Sequence, residues 1–238
     1  MSDSKPFVFL LPGMLCDAGV WQAQIDALKS RYSLAVPVFR DFDSFDAMAE
    51  HVLAMAPAHF SVVAHSMGGR VAMELMRKVP TRIDKFILMD MGVHPVSAAE
   101  TLRNQRLLEL AAAGGLEAVA DSWIPYMIHP DRLDDHELVA DIRAMVLRNT
   151  TADLHNQLLA AERRNDQSRY LATIRHQVHI ICGDSDNWNP PDLHQRMQAQ
   201  LANAELRIIA DCGHMAPMEK PYVVNALLLE WLGADSRQ

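Results

Sequence analysis

The stretch Phe60-Ser61-Val62-Val63-Ala64-His65-Ser66-Met67-Gly68-Gly69-Arg70-Val71-Ala72-Met73-Glu74-Leu75-Met76 changes its periodicity at a single serine. Ahead of Ser66, the run Phe60 to Ala64 is apolar enough to read as a buried strand. Behind it, Val71, Ala72, Leu75, Met76 and Val79 recur at helical spacing, with Arg70, Glu74, Arg77 and Lys78 between them. The order is strand, tight turn, amphipathic helix. Small residues on both sides, Ala64 before and Gly68-Gly69 after, allow the turn to be sharp.

The same alternation extends in both directions. Phe7 to Leu11 is a short apolar run stopped by Pro12-Gly13, and Asp17 can cap a helix running to about Lys29. Leu34 to Val36 is a strand broken by Pro37, and Asp43 or Ser44 opens a helix that ends near Pro57. Phe86 to Met89, Val178 to Cys182 and Leu206 to Ile209 are three further strands. A helix from about Asp192 to Leu201 separates the last two, and Tyr222 to Leu232 forms a final one. Parallel strands need crossovers that return over the sheet, so this pattern predicts an α/β fold: a mostly parallel, doubly wound sheet of about six strands. Residues 95–171 break the alternation. They carry only helical periodicity punctuated by Gly114-Gly115, Pro125 and Pro130. The predicted organisation is a core of residues 1–94 and 172–238 with a helical cap inserted at 95–171.

Bulk properties narrow the function. At 238 residues, half of them apolar, the chain can bury one substantial core. Thirty acidic against 22 basic residues give a formal charge of −8, with no Lys/Arg run to engage nucleic acid. Met1 to Lys5 is polar, and no stretch approaches the ~18 apolar residues of a spanning helix or the layout of a signal peptide. Cys16, Cys182 and Cys212 are an odd number without a CxxC pair, which favours free thiols. The expectation is a cytoplasmic protein without a membrane or nucleic-acid partner; the sequence leaves the oligomeric state open. Metal is not expected, since there is no HExxH and His176 and His179 would face opposite sides of a strand.

A serine hydroxyl becomes a nucleophile only with a base for its proton, a group that orients the base, and donors for the oxyanion. Ser66, in its strand-to-helix turn, resembles the nucleophile elbow of the α/β-hydrolase family, whose pattern is Gly-x-Ser-x-Gly. Ala64 replaces the first glycine, a small steric change. The resemblance covers nearly the whole chain, with the six strands standing for strands three to eight of the family. It implies His214, in Cys212-Gly213-His214-Met215-Ala216-Pro217, as the base. It implies Asp186, in Gly183-Asp184-Ser185-Asp186, as the acid, although Asp90, at another strand's carboxyl end, and the neighbouring Asp184 and Asp192 compete for that role. The amides of Met14, in Leu11-Pro12-Gly13-Met14, and of Met67 are the implied oxyanion donors.

Other residues have ordinary explanations beside chemical ones. His65 adjoins Ser66 on so tight a turn that the two side chains point apart, so packing or lining the entrance is expected of it rather than the role of base. Cys16 and Cys212 read as small buried hydrophobes. Trp123, Tyr126, Met127 and Ile128 of the cap, and Trp188 after the acid loop, either line a substrate cleft or pack the cap onto the sheet; Trp123, Tyr126, Met127 and Trp188 are the binding candidates. Arg163-Arg164 reads as a solvated helix face rather than a dock for an acidic carrier protein. The resemblance implies a serine hydrolase that cleaves a carboxylic ester of a small to medium apolar molecule through an acyl-enzyme, without a cofactor. Lactone, thioester or carbon–carbon hydrolysis on the same residues, or a ligand-binding protein on this fold, are the alternatives.

Overall fold

A computed structural model describes residues 5–233; the polar segment Met1–Ser4 lies outside the described residues. Six strands form one all-parallel sheet: β1 (Phe7–Leu11), β2 (Ser33–Ala35), β3 (Phe60–His65), β4 (Ile83–Met89), β5 (Val178–Gly183) and β6 (Ala204–Ile209). Their spatial order is β2-β1-β3-β4-β5-β6. The chain leaves β1 toward one edge and returns to its other side at β3, so the switch point, where α/β sheets bind ligands, lies between the carboxyl ends of those two strands. Ser66 follows one of them, and the Gly13-Met14 loop follows the other.

Period-two alternation divides the strands between two apolar layers. Val8, Leu10, Val63, Ile87 and Ile181 face one layer, and Phe9, Leu11, Val62, Ala64, Leu88 and Ile180 face the other. The helices α1 (Gln22–Leu28), α2 (Phe45–Met55), α3 (Met67–Lys78), α7 (Pro191–Gln200) and α9 (Pro221–Gly233), with the short α8 (Ala216–Glu219), complete the core. Two of their starts follow the expected chemistry. Ser44 accepts from the Ala47 amide to cap α2, and Asp17 accepts from the Gly19 amide, although the helix expected after it opens as a 3₁₀ turn, Ala18–Trp21. His176 precedes β5, so the expected opposition of His176 and His179 across one strand does not arise.

Between β4 and β5 lie α4 (Ala98–Met127), α5 (His136–Leu147) and α6 (Thr151–Glu162). Capping boxes at Ser97/Glu100 and Thr150/Asp153 start α4 and α6. Gly114 and Gly115 interrupt α4 with non-helical backbone, Gly115 at φ 66°, a conformation glycine adopts without a Cβ penalty. Among the described residues no helix is long and apolar enough to cross a membrane.

Candidate active site

Ser66 sits between β3 and α3 with φ 52° and ψ −118°, a strained backbone for a residue with a Cβ. The strain is held by packing. A methyl at Gly68 would collide with the carbonyls of Leu11 and Pro12, so glycine is what lets α3 approach the β1 loop. Ala64 pairs in register with Leu11 and Leu88 and is fully buried, so its methyl is absorbed by the sheet.

Ser66 Oγ donates to His214 Nε2 at 2.8 Å, and His214 Nδ1 donates to Asp186 Oδ2 at 2.8 Å. Asp186 Oδ1 accepts from the amides of Trp188 (2.8 Å) and Asn189 (2.9 Å), which fixes the carboxylate's orientation. His214 and Asp186 are both buried. The carboxylates that compete in the sequence are placed elsewhere. Asp184 accepts from Ser185 and from the amides of Asp211 and Cys212. Asp192 pairs with Arg196 at 2.7 Å. Asp90 is fully buried and accepts from the Gly183 amide at 3.0 Å; burial, and then the charge of Asp186, hold its carboxyl well above the usual range. It stands behind the site, outside the series of hydrogen bonds from Ser66 to Asp186.

His65 is fully buried and donates from Nε2 to the His214 carbonyl at 2.8 Å. Burial, then the proximity of His214, lower its pKa to about 3, so it is a neutral strut for the histidine loop. That loop is held from two further directions that the sequence does not advertise. Glu219 accepts from the amides of Gly213, Met215 and His129, and the Met127 carbonyl at the end of α4 accepts from those of His214 (2.8 Å) and Met215 (3.2 Å). The β1 loop is pinned likewise. Gln157 of α6 accepts from the Leu15 amide at 2.8 Å, and Asn149 donates to the Leu15 carbonyl at 2.9 Å. Leu15 adopts φ 54° there. Met67 opens α3, so its amide has no partner within the helix and points along the positive end of the helix dipole.

A cleft is lined by Ser66, His214, Met14 and Met67 from the core. Trp123, Met127 and Trp188 also line it, as three of the four expected binding residues. Tyr126 does not: the buried stripe of α4 is Ala120, Trp123, Ile124 and Met127, and Tyr126 falls off it, 63% exposed. Ile128 is buried and packs the cap. The lining is not the wholly apolar one that the small to medium apolar substrate expected from the sequence would suggest. Glu100, Arg103, Asn104 and Arg164 of the cap, with Arg70 of α3, also line the cavity. Consecutive residues at the end of α6 diverge, so Arg163 reaches solvent and pairs with Asp43, whereas Arg164 is buried and pairs with Glu100 at 2.7 Å. Only Arg163 has the solvated face expected of both.

Burial pushes the Cys16 thiol up to about 12 and raises those of Cys182 and Cys212 further, which disfavours thiolate chemistry. Asp90, Cys182 and Asp186 place three ligand atoms within 4.8 Å of one another. Asp186 has committed both oxygens to N–H donors, and the Cys182 thiol donates to the Gly183 carbonyl.

With this geometry in view, comparisons place the chain among known proteins. A family model described as "Alpha/beta hydrolase family" matches residues 8–227. The 2-hydroxy-6-oxononadienedioate/2-hydroxy-6-oxononatrienedioate hydrolase of Escherichia coli is 27% identical over 180 residues, which is 74% of this chain and 62% of that relative's length. A thermophilic esterase from Thermogutta terrifontis, solved with malate bound, superposes with a TM-score of 0.88 at 26% identity, covering 97% of this chain and 90% of that one. The enol-lactonase from Burkholderia xenovorans LB400 superposes equally well, at 0.88, but at 18% identity, with 97% and 92% covered; it attests the fold alone.

Proposed function

The chain belongs to the alpha/beta hydrolase family, and from that premise we propose that it is a serine hydrolase that cleaves a carboxylic ester through an acyl-enzyme. The observation that carries this reading is the unbroken series of 2.8 Å hydrogen bonds from Ser66 through His214 to Asp186, opening on a cavity. In this mechanism Ser66 Oγ attacks the ester carbonyl as His214 Nε2 takes its proton. His214 then gives that proton to the leaving alcohol. Asp186 keeps Nδ1–H directed away from Ser66 and stabilises the imidazolium. The Met14 and Met67 amides receive the oxyanion, the latter aided by the α3 dipole. Water, deprotonated by His214, attacks the acyl-enzyme and releases the acid, with Ser66 regaining its proton. Trp123, Met127 and Trp188 supply the apolar wall for the carbon skeleton of the substrate.

The test is Ser66→Ala. Hydrolysis of 4-nitrophenyl esters should fall by about 10⁴-fold or more while the urea midpoint stays within the range of a surface substitution. A fluorophosphonate should form a stoichiometric adduct on Ser66 of the native protein. Retained esterase activity in the folded variant would overturn the assignment, and failure of the native protein to take the label would favour a ligand-binding role on this fold. Carbon–carbon hydrolysis is the second reading, on the strength of the E. coli relative; a panel that sets vinylogous 1,5-diketones beside esters and lactones separates the two.

A further inference from the structure

The cavity wall facing the apolar residues carries three guanidinium groups, Arg70, Arg103 and Arg164, against one carboxylate, Glu100. Glu100 is already spent. It accepts from Arg164 at 2.7 Å and from the Ser97 amide at 2.9 Å, and His94 stands 3.4 Å away. Burial would raise its carboxyl, but the hydrogen bond from His94, the charge of Arg164 and the Ser97 amide prevail and hold it below the usual range. Arg164 in turn donates to the carbonyls of His94 and Ala161, so its own capacity is taken up within the fold.

Arg70 and Arg103 are different. Arg70 is 7% exposed, and among the described residues no carboxylate lies within ion-pair distance of it. Its guanidinium makes one long hydrogen bond, 3.5 Å to Gln167 Oε1. Burial, then the neighbouring charge of Arg164, bring its pKa down to about 9, so it remains a cation at neutral pH. The nearest carboxylate to Arg103 is Glu100, at 3.8 Å, and Arg103 Nε is buried without a partner. Its guanidinium carbon lies 3.7 Å from the centroid of the Trp188 ring, and that ring stands 6.1 Å from the His214 imidazole. Stacking fixes where Arg103 points. Arg70 is a buried cation with no carboxylate in ion-pair range, which is costly, whereas the Arg103 side chain is 35% exposed and pairs only loosely with Glu100; a planar carboxylate answers both guanidinium forks in geometry and sign.

We propose that Arg70 and Arg103, braced by the Arg164–Glu100 pair, form a subsite for a free carboxylate of the substrate. This rests on the serine-hydrolase reading and names its substrate class: a small ester that also bears a carboxylic acid, as in the half-ester of a dicarboxylic acid. Trp188 separates the two ends of such a molecule, with the scissile ester at Ser66 and the acid at Arg103.

Four esters test it, each acid paired with an isopropyl isostere of equal shape. Mono(4-nitrophenyl) adipate against 4-nitrophenyl 6-methylheptanoate puts the charge on the acyl side, and 4-acetoxybenzoate against 4-isopropylphenyl acetate puts it on the alcohol side. In at least one pair the acid should have a kcat/KM at least ~10-fold higher, the scale of one charge-assisted contact. Arg70→Gln, Arg70→Lys and Arg103→Gln should each lower that acid-to-neutral ratio, the glutamines by ~10-fold. Arg106→Gln, exposed on the cap beside Glu109, should leave it unchanged. Ser66-dependent hydrolysis with neutral esters equal or preferred in both pairs would overturn the subsite and spare the hydrolase. Tighter inhibition by butyl phosphate than by valerate would overturn the carboxylate assignment. If no ester is turned over, the hydrolase reading fails and calorimetry decides the subsite separately. Monomethyl adipate binding to Ser66→Ala ~10-fold more tightly than to the Ser66→Ala/Arg103→Gln double variant supports it, and equal or absent binding overturns it.

Discussion

Asp90→Asn should stabilise the protein by an amount that grows with pH. Asp90 is fully buried at the end of β4, with Oδ1 accepting from the Gly183 amide and Oδ2 buried without a hydrogen-bond partner, 3.9 Å from His65 Nε2. The hydrogen on His65 Nε2 is committed to the His214 carbonyl. Burial and the Asp186 charge raise the folded-state pKa well above the unfolded value of about 3.9. The native state therefore keeps a proton that the unfolded chain releases. Stability linked to this group is full below about pH 3.9 and falls as pH rises toward the folded pKa, by up to about 1.4 kcal/mol per pH unit. Asparagine keeps the acceptor for Gly183, fills the same volume and has no proton to lose. The stability gap between Asp90→Asn and the parent should widen as pH rises from 5 to 7, by at most about 2.7 kcal/mol, two units at that slope. Urea unfolding of both proteins at pH 5, 6 and 7 measures the gap directly. A gap constant within about 0.5 kcal/mol, or one that narrows with pH, would mean that Asp90 is ionised in the fold and would refute this account.

Two further substitutions test the geometry around the site. Ser66→Gly should be more stable than Ser66→Ala by about 1 kcal/mol, because φ 52° with ψ −118° strains any residue with a Cβ; equal melting temperatures would show that the elbow stores no strain. Glu219→Ala leaves the amides of Gly213, Met215 and His129 without their acceptor, so at about 1 kcal/mol or more each the loss should reach about 3 kcal/mol in urea unfolding. A loss below about 1 kcal/mol would show that water replaces the carboxylate.

The residues that are legible in the sequence share a local signature. Ser66, Asp186 and His214 each follow a strand, and each lies within three residues of a glycine that punctuates the turn. Periodicity recovers all six strands, most cleanly β1, β3 and β5, which are buried continuous apolar runs; ends are displaced by one or two residues except in β4, which begins three residues earlier, at Ile83, where Asp84 and Lys85 interrupt the apolar run. Choosing Asp186 over Asp90 takes coordinates, since both carboxylates end strands of the same sheet and only one reaches His214. Glu219 and Gln157 give no signal at all. Gln157 acts on Leu15, 142 positions away, and in the sequence it is one more polar residue on a helix. The arginines mislead for a related reason. Arg164 beside Arg163 reads as a solvated pair, but a step of one residue at a helix end separates inside from outside.

That distinction changes what the cap is for. A cover that only excluded water would touch the core through side chains and could lift away intact. Here the Met127 carbonyl at the end of α4 accepts from the His214 amide, and α6 supplies the glutamine that holds Leu15 in the loop after Met14. A methyl at Gly213 would collide with the backbone of Ile128 and His129, so the histidine loop and the cap were shaped to one another. The proposed base and the proposed oxyanion loop are therefore positioned from above by the insertion as much as from below by the sheet. Preorganisation of this kind places donors and base before the substrate arrives, which is where electrostatic catalysis gains most. The same segments bring Arg103 and Arg164 to the cavity. On the proposed reading, one structural unit sets both the geometry of the chemistry and the charge of the molecule admitted to it.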